Sequence, residues 1–376
     1  MTKTPKNKHA ELTQRIAELQ AQGGGTMELG DGAYGLDRTL RLPREVSLYM
    51  TPHTVLRALP GFEGEAILLK CAAEKIKGHS HESAGWIRGG VLDGAKQPLT
   101  GLKIEDVSRL EVSELEVRDA TYKGIHSDAG YEINLSHVRC NVDLHTPYAP
   151  GSVGIHYENA DSLIHTAVII GYETGVRSDG SSNDFQFVHV WNSDPDQGPM
   201  NYCFYCNGHG DTYTQCYADS PTIAGFYMTK PFQRVFGSRV FYSRWAQDNA
   251  GAGVLVEPSG SHGTYIGNYF FAAQEHTLAK AYDGDLEGAC ILGETYRGGV
   301  VHGGKETRVP SGGGGAHPLP PFTIAGNRLH MSPQLASPVP DQGEVGDVVW
   351  VDDDTAPALY VKTSKGWCRA TLDSIA

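Results

Sequence analysis

Apolar and polar positions alternate along this chain in short runs, and the runs repeat. From residue 101 to 300, Val, Ile, Leu and Phe alternate with polar side chains as a half-buried sheet requires. A Gly-led phrase recurs there as Gly124-Ile125-His126, Gly154-Ile155-His156, Gly175-Val176-Arg177, Gly225-Phe226-Tyr227 and Gly253-Val254-Leu255. Strand-like phrases such as Ser136-His137-Val138 and Gly267-Asn268-Tyr269 lie between them. The anchors return at roughly 21 to 30 residues, apart from one double interval after Gly175, a period at which each repeat is one supersecondary unit stacked on the next. Parallel strands ordinarily need a crossover of a dozen residues or more, usually a helix, and no helical pattern separates these repeats. The pattern therefore predicts an all-β solenoid, a single-stranded right-handed parallel β-helix.

The ends follow other patterns. Residues 9–23 place Leu12, Ile16 and Leu19 on one helical face and stop at Gly23, which predicts a short helix covering the open end of the solenoid. Residues 303–321 break the alternation and read as a flexible loop. From Gly343 onward Val345, Val348, Val349, Trp350, Leu359, Tyr360, Val361 and Trp367 predict a small β-rich module. The expected organisation is a capping helix over 1–22, a β-helix over 23–330 and a β-rich tail over 331–376.

The opening coils carry a resemblance. Gly24-Gly25-Thr26, Gly32-Ala33-Tyr34 and Leu42-Pro43 follow one another as in the pectate-lyase-like right-handed parallel β-helix superfamily, and Ile87-Arg88-Gly89-Gly90-Val91-Leu92-Asp93-Gly94 is similar to it as well. The resemblance covers about residues 23 to 330. It implies a polysaccharide-processing scaffold, and the tail is similar to modules of phage fibre and spike proteins.

Composition narrows the partners. A formal net charge of −13 sets up a field that repels polyanions, which excludes nucleic acid as the expected ligand. A uronate polymer stays open, because local Arg and Lys can outweigh the global sign. No stretch approaches the roughly 18 apolar residues of a membrane span. The start, Met1 to Lys6, is basic without an apolar h-region, so the expected location is cytoplasmic, or extracellular by a phage-type or unconventional route. Seven Cys at irregular spacings read as reduced, buried thiols rather than a disulfide framework, and Cys203, Cys206, Cys216 and His209 read the same way rather than as a zinc site. Eighteen Tyr and five Trp suit sugar stacking or subunit interfaces, and the expected assembly is a homotrimer.

Acids, arginines and aromatics are densest from Trp191 to Glu257. Glycoside cleavage needs two carboxyls, one protonated and one ionised, about 5 to 10 Å apart, a spacing that neighbouring coils supply. Asp248 and Glu257 are the expected catalytic pair, with Asp219 third, and Arg239, Tyr242, Arg244, Trp245, His262, Trp191 and Tyr217 the expected substrate contacts. The stretch from Gly237 to Phe271 is similar to a coil of inulin fructotransferases, which implies roles for Asp248 and Glu257 on a neutral fructan. Gly208-His209-Gly210 is shared with polygalacturonases, whose other motifs are missing here. Three functions stay open: a glycosidase or transglycosylase without metal, a uronate lyase using Arg239, Tyr242, Arg244 and His262, and a non-catalytic glycan-binding fibre. For the lyase the superfamily resemblance implies Ca²⁺, and Asp194-Pro195-Asp196 reads more simply as a turn than as its site.

Overall fold

A computed structural model describes residues 5–72, 83–191, 198–242, 251–272, 280–286, 288–292 and 294–297, and the backbone of five further strands between 322 and 371. The chain is a parallel β-solenoid of about nine turns with one N-terminal helix. Each central coil visits three sheets in order. The first holds Thr100–Glu105, Lys123–Asp128, Val153–Tyr157, Thr174–Ser178, Tyr202–Cys206, Ala224–Met228, Ala252–Val256 and Lys280–Gly284, each paired in parallel with the next. The second and third are made by shorter segments, such as Thr212–Thr214 followed by Tyr217–Asp219. The parallel pairing runs through Thr295–Arg297, whereas Phe322–Ala325 pairs antiparallel with Arg328–Met331, and the tail strands from Val348 to Thr371 form a three-stranded antiparallel sheet. The linker reading of 303–321 lies outside the described residues.

The Gly of each repeated phrase exists because the strand turns two successive residues inward at that point. A Cβ on Gly154 would stand 2.2 Å from Ile169 Cγ2, and one on Gly175 would stand 2.1 Å from Val190 Cγ1. The double interval after Gly175 holds a full coil in which Cys203 takes the Gly position, since Val176 pairs with Phe204. Inside, aromatic rings stack from coil to coil, with Phe204 on Phe226 at 4.6 Å and Phe185 on Tyr213 at 4.7 Å. Beside them runs a polar ladder that satisfies corner amides. The N–H of Ile133 donates to Ser162 Oγ, that of Ser162 to Asn183 Oδ1, and that of Asn183 to Asp211 Oδ1, all within 3.0 Å.

The helix His9–Ala21 buries Leu12 and Ile16 and packs Leu19 partly against the same core, so it closes the N-terminal end as the pattern predicts. Among the described residues Cys71, Cys140, Cys203, Cys206 and Cys216 are buried free thiols and Cys290 is exposed. Cys206 and Cys216 donate to different backbone carbonyls, Phe204 O at 3.5 Å and Phe185 O at 3.3 Å, in keeping with structural thiols.

Candidate active site

The outer face of the first sheet presents one column of side chains in strict register: Lys103, His126, His156, Arg177, Tyr205, Tyr227, Leu255 and Asp283. Neighbours in such a column are about 4.8 Å apart. Two further columns flank it. Three residues earlier on their strands stand Lys123 and Tyr202, and two residues later, at the strand end or the corner just after it, stand Asp128, Glu158, Asp179, Asn207, Thr229 and Glu257.

The chemistry concentrates where four cationic or imidazole groups meet two carboxylates. The rings of His126 and His156 stack with centroids 4.8 Å apart and planes 9° from parallel. Lys123 Nζ lies 2.9 Å from His156 Nδ1, and an ammonium can only donate, so that nitrogen accepts. His156 therefore carries its hydrogen on Nε2 and donates it to Asp179 Oδ2 at 2.7 Å. Arg177 donates to the same carboxylate through Nε at 2.6 Å and Nη2 at 3.2 Å, and Asn207 Nδ2 adds a third donor at 2.6 Å. Burial opposes ionisation of Asp179, yet the bonds from His156, Arg177 and Asn207 outweigh it and hold the carboxyl far below its usual range. The guanidinium of Arg177 also lies 5.0 Å from the Tyr205 ring centroid.

His126 differs from its stacked neighbour. Its Nε2 lies 2.8 Å from Glu158 Oε1, and the side chain is only 13% exposed. Burial lowers its pKa from 6.5, the Glu158 bond partly offsets this, and Lys123 and His156 lower it further. A neutral ring that donates through Nε2 to Glu158 keeps its lone pair on Nδ1, the form a general base requires. Lys123 is likewise held below its ordinary value, by burial first and by Arg177 and Lys103 as like charges.

Nitrogen and oxygen atoms of His126, His156 and Glu158 lie within 4.8 Å of one another, a grouping that could hold a cation. The hydrogen-bond network does not fit one. A metal on His156 Nε2 needs its lone pair there and an acceptor for the hydrogen displaced to Nδ1, and at Nδ1 stands the Lys123 ammonium.

The residues expected from sequence are distributed differently. Asp248, Arg244 and Trp245 lie outside the described residues, as do Asp194 and Asp196. Tyr242 is a correction: it is fully buried, faces the core beside Val240, and donates its hydroxyl to Lys280 O at 2.9 Å, so it meets no ligand. Trp191, Asp219, Tyr217 and Arg239 share the third sheet, with Trp191 paired to Asp219 and Tyr217 to Arg239. Asp219 is nearly buried and bonded by Ser220 Oγ at 2.6 Å. Glu257 belongs instead to the corner after the first sheet, where its carboxylate accepts the Tyr227 hydroxyl at 2.6 Å. Asp219 and Glu257 thus sit at the ends of different sheets. His262 is exposed beside Ser261, and His209 is exposed beside Phe232 while Asp211 belongs to the interior ladder. The central His126, His156 and Arg177 were missed, although each is the third residue of a repeated Gly-led phrase and therefore an outward position.

No family model matches the chain, and no curated protein does. Solved structures share its fold. The A-module of a mannuronan C-5 epimerase from Azotobacter vinelandii is 12% identical with a TM-score of 0.55, over 81% of this chain and 96% of that one. The tailspike protein of Escherichia coli bacteriophage HK620, solved with a pentasaccharide, is 13% identical with a TM-score of 0.54, over 79% and 58%. DFA-IIIase from Arthrobacter chlorophenolicus, solved with DFA-III, is 11% identical with a TM-score of 0.53, over 79% and 81%. These likenesses place the chain among the right-handed parallel β-helix proteins, a fold used by polysaccharide-processing enzymes and phage tailspikes.

Proposed function

We propose that this β-helix protein is a polysaccharide lyase that removes the proton α to a uronate carboxylate and expels the sugar at the neighbouring carbon by β-elimination. The observation that carries the reading is the run of Lys123, His126, His156 and Arg177 over consecutive coils, with both acids of the cluster committed to keeping those groups in place. His126 takes the C5 proton on Nδ1, the C5–H electron pair becomes the C4–C5 double bond, and the C4–O4 bond breaks. The imidazolium returns its proton to the departing O4, so the enzyme ends unchanged. Lys123 and Arg177 face the substrate carboxylate, whose neutralisation makes the α-proton removable. Asp179 and His156 are positioning residues.

Within this cluster, a carboxylate pair acting as acid and base is less well supported. Hydrolysis needs one carboxyl held protonated, whereas the hydrogen bonds of His126 to Glu158 and of His156, Arg177 and Asn207 to Asp179 keep both acids ionised. The epimerase among the fold neighbours favours a second outcome of the same first step, in which the carbanion is reprotonated from its other face and no bond is cut. The Ca²⁺ considered for a lyase is replaced in this reading by the two cationic side chains. A homotrimer remains the proposed assembly, checked by light scattering.

The test is incubation with a uronate glycan panel, following ultraviolet absorbance of the unsaturated product, reducing ends and exchange of the α-proton with deuterium. Absorbance that survives a chelator and disappears in His126→Ala is the expected result. Reducing ends without absorbance would return the assignment to a hydrolase. Exchange alone would indicate an epimerase, and binding with neither product nor exchange a fibre protein.

A further inference from the structure

The column that carries the proposed chemistry changes character halfway along. On the N-terminal side it reads Lys103, His126, His156 and Arg177, with Lys123 beside it. Beyond Arg177 it reads Tyr205, Tyr227 and Leu255. Tyr202 stacks on Tyr227 with centroids 4.8 Å apart and planes 15° from parallel, and Tyr205 stands edge-on to both at 5.3 and 5.1 Å. The three rings form one platform immediately next to the cationic half.

On its near side the platform meets the Arg177 guanidinium, 5.0 Å from the Tyr205 ring centroid, and elsewhere the charges around it are negative. Glu257 meets the Tyr227 hydroxyl, and among the described residues no Lys or Arg is paired with it. Glu173, at the corner before Thr174, accepts hydrogen bonds from Asn201 Nδ2 at 3.0 Å and from the Gly151 amide at 2.6 Å. Burial, Tyr205 and the carboxylates of Glu257 and Glu173 all push the Tyr202 phenol up. Farther out, Asp283 is neutralised by Lys280 of its own strand at 2.8 Å. A sugar lying on the tyrosines therefore meets apolar ring faces and hydrogen-bond acceptors, and an anionic one meets like charge.

We infer that the glycan taken by this groove is a heteropolysaccharide, in which the uronate over His126 to Arg177 is followed on the tyrosine side by a neutral sugar. Glu257 stands on the coil of Leu255, three coils past Arg177, so a polymer with a carboxylate on every residue, at about one sugar per coil spacing of 4.8 Å, sets an anionic group at every step toward it. A neutral sugar instead packs against the exposed sides of the Tyr202, Tyr205 and Tyr227 cluster and gives a hydroxyl to Glu257. This inference rests on the uronate reading of the cationic half, but concerns the other half of the groove.

Two measurements separate the two. Binding of gellan, in which three neutral sugars separate successive uronates, and of hyaluronan, in which uronates alternate with amide sugars, is compared with that of alginate and polygalacturonate by calorimetry on His126→Ala. The same four polymers are assayed for unsaturated product with the intact enzyme. The heteroglycans should bind at least about tenfold tighter, and Glu257→Gln should shrink that ratio by about tenfold through better binding of the homopolyuronates. Tyr227→Ala should cost the heteroglycans about tenfold and the homopolyuronates little. Equal or tighter binding of the homopolyuronates, or a ratio unmoved by Glu257→Gln, overturns the inference even if the enzyme is a lyase. A heteroglycan preference with no unsaturated product from any polymer retains the inference and overturns the lyase.

Discussion

Replacing Asp179 with Asn should unhinge the candidate site and cost measurable stability. The carboxylate of Asp179 accepts four hydrogen bonds from three residues, two of them from the Arg177 guanidinium, and its side chain is 18% exposed. Asn keeps one oxygen for those donors and turns an NH₂ toward the rest. Removing one partner of a buried pair costs about 3 to 5 kcal/mol, and partial exposure reduces this to about 2 to 4 kcal/mol. The pH dependence has a definite sign. The native carboxyl titrates well below its ordinary 3.8, so its stabilisation is fully present above that value and is lost as pH falls further. The gap between wild type and Asp179→Asn should therefore be constant from pH 7 to 5. It should shrink by about 1.4 kcal/mol on going one unit below 3.8. Urea unfolding monitored by far-ultraviolet circular dichroism at pH 7, 5 and 2.8 measures it. A gap below about 1 kcal/mol at pH 7, or one that widens in acid, would falsify the description of Asp179 as the organising acceptor.

Three other outcomes follow from the geometry. His126→Ala should lower kcat/KM by about 10² to 10⁴ while leaving glycan affinity nearly unchanged, and the wild-type rate should rise with pH through an apparent pKa below 6.5, because only the neutral ring accepts the proton. A wild-type midpoint above 6.5 in the pH–rate profile contradicts this. Gly175→Val should destabilise by about 3 kcal/mol or prevent folding, since even a Cβ there meets Val190 Cγ1 at 2.1 Å and Cys203 O at 2.7 Å, and thermal unfolding checks it. Glu294 is buried against Asn268, and burial raises its pKa to about 8. Its folded form binds a proton that the unfolded form releases above 4.5, so stability should fall as pH rises from 4.5 to 8. Glu294→Gln should remove that slope, gaining on the order of 1 to 3 kcal/mol over wild type at pH 8, and parallel unfolding curves at pH 5 and 8 would show otherwise.

The scaffold was legible because its physics is local and repeated. Alternation with period two and a small residue wherever two successive positions turn inward leave a mark in every coil. Cys203 shows the tolerance of that rule, standing where the repeat otherwise has Gly and hiding one coil from a search for Gly. The candidate site was less legible because it is a column, one residue from each of several coils far apart in sequence. A local density of acids and aromatics drew attention to Trp191 through Glu257, where Tyr217, Arg239 and Asp219 do share a sheet, though not the one carrying His126 and His156. Strand parity could have separated Tyr242 from its neighbours, since in Arg239-Val240-Phe241-Tyr242 it falls on the inward side with Val240. The pairing of Lys123 with His156 joins residues 33 apart in the chain, and that separation depends on the lengths of intervening loops with no pattern of their own.

The in-register stacking of coils also limits how such a protein can change. Because each outward position recurs once per turn, removing or duplicating a whole coil slides one part of the groove past another by a single step and leaves the remaining rungs paired. An insertion within a corner loop alters no rung at all. The separation between the histidines and the tyrosines can thus be revised only in whole steps, as on a ratchet. Descendants of this chain should differ in groove length by integral numbers of sugar-sized notches rather than by gradual widening.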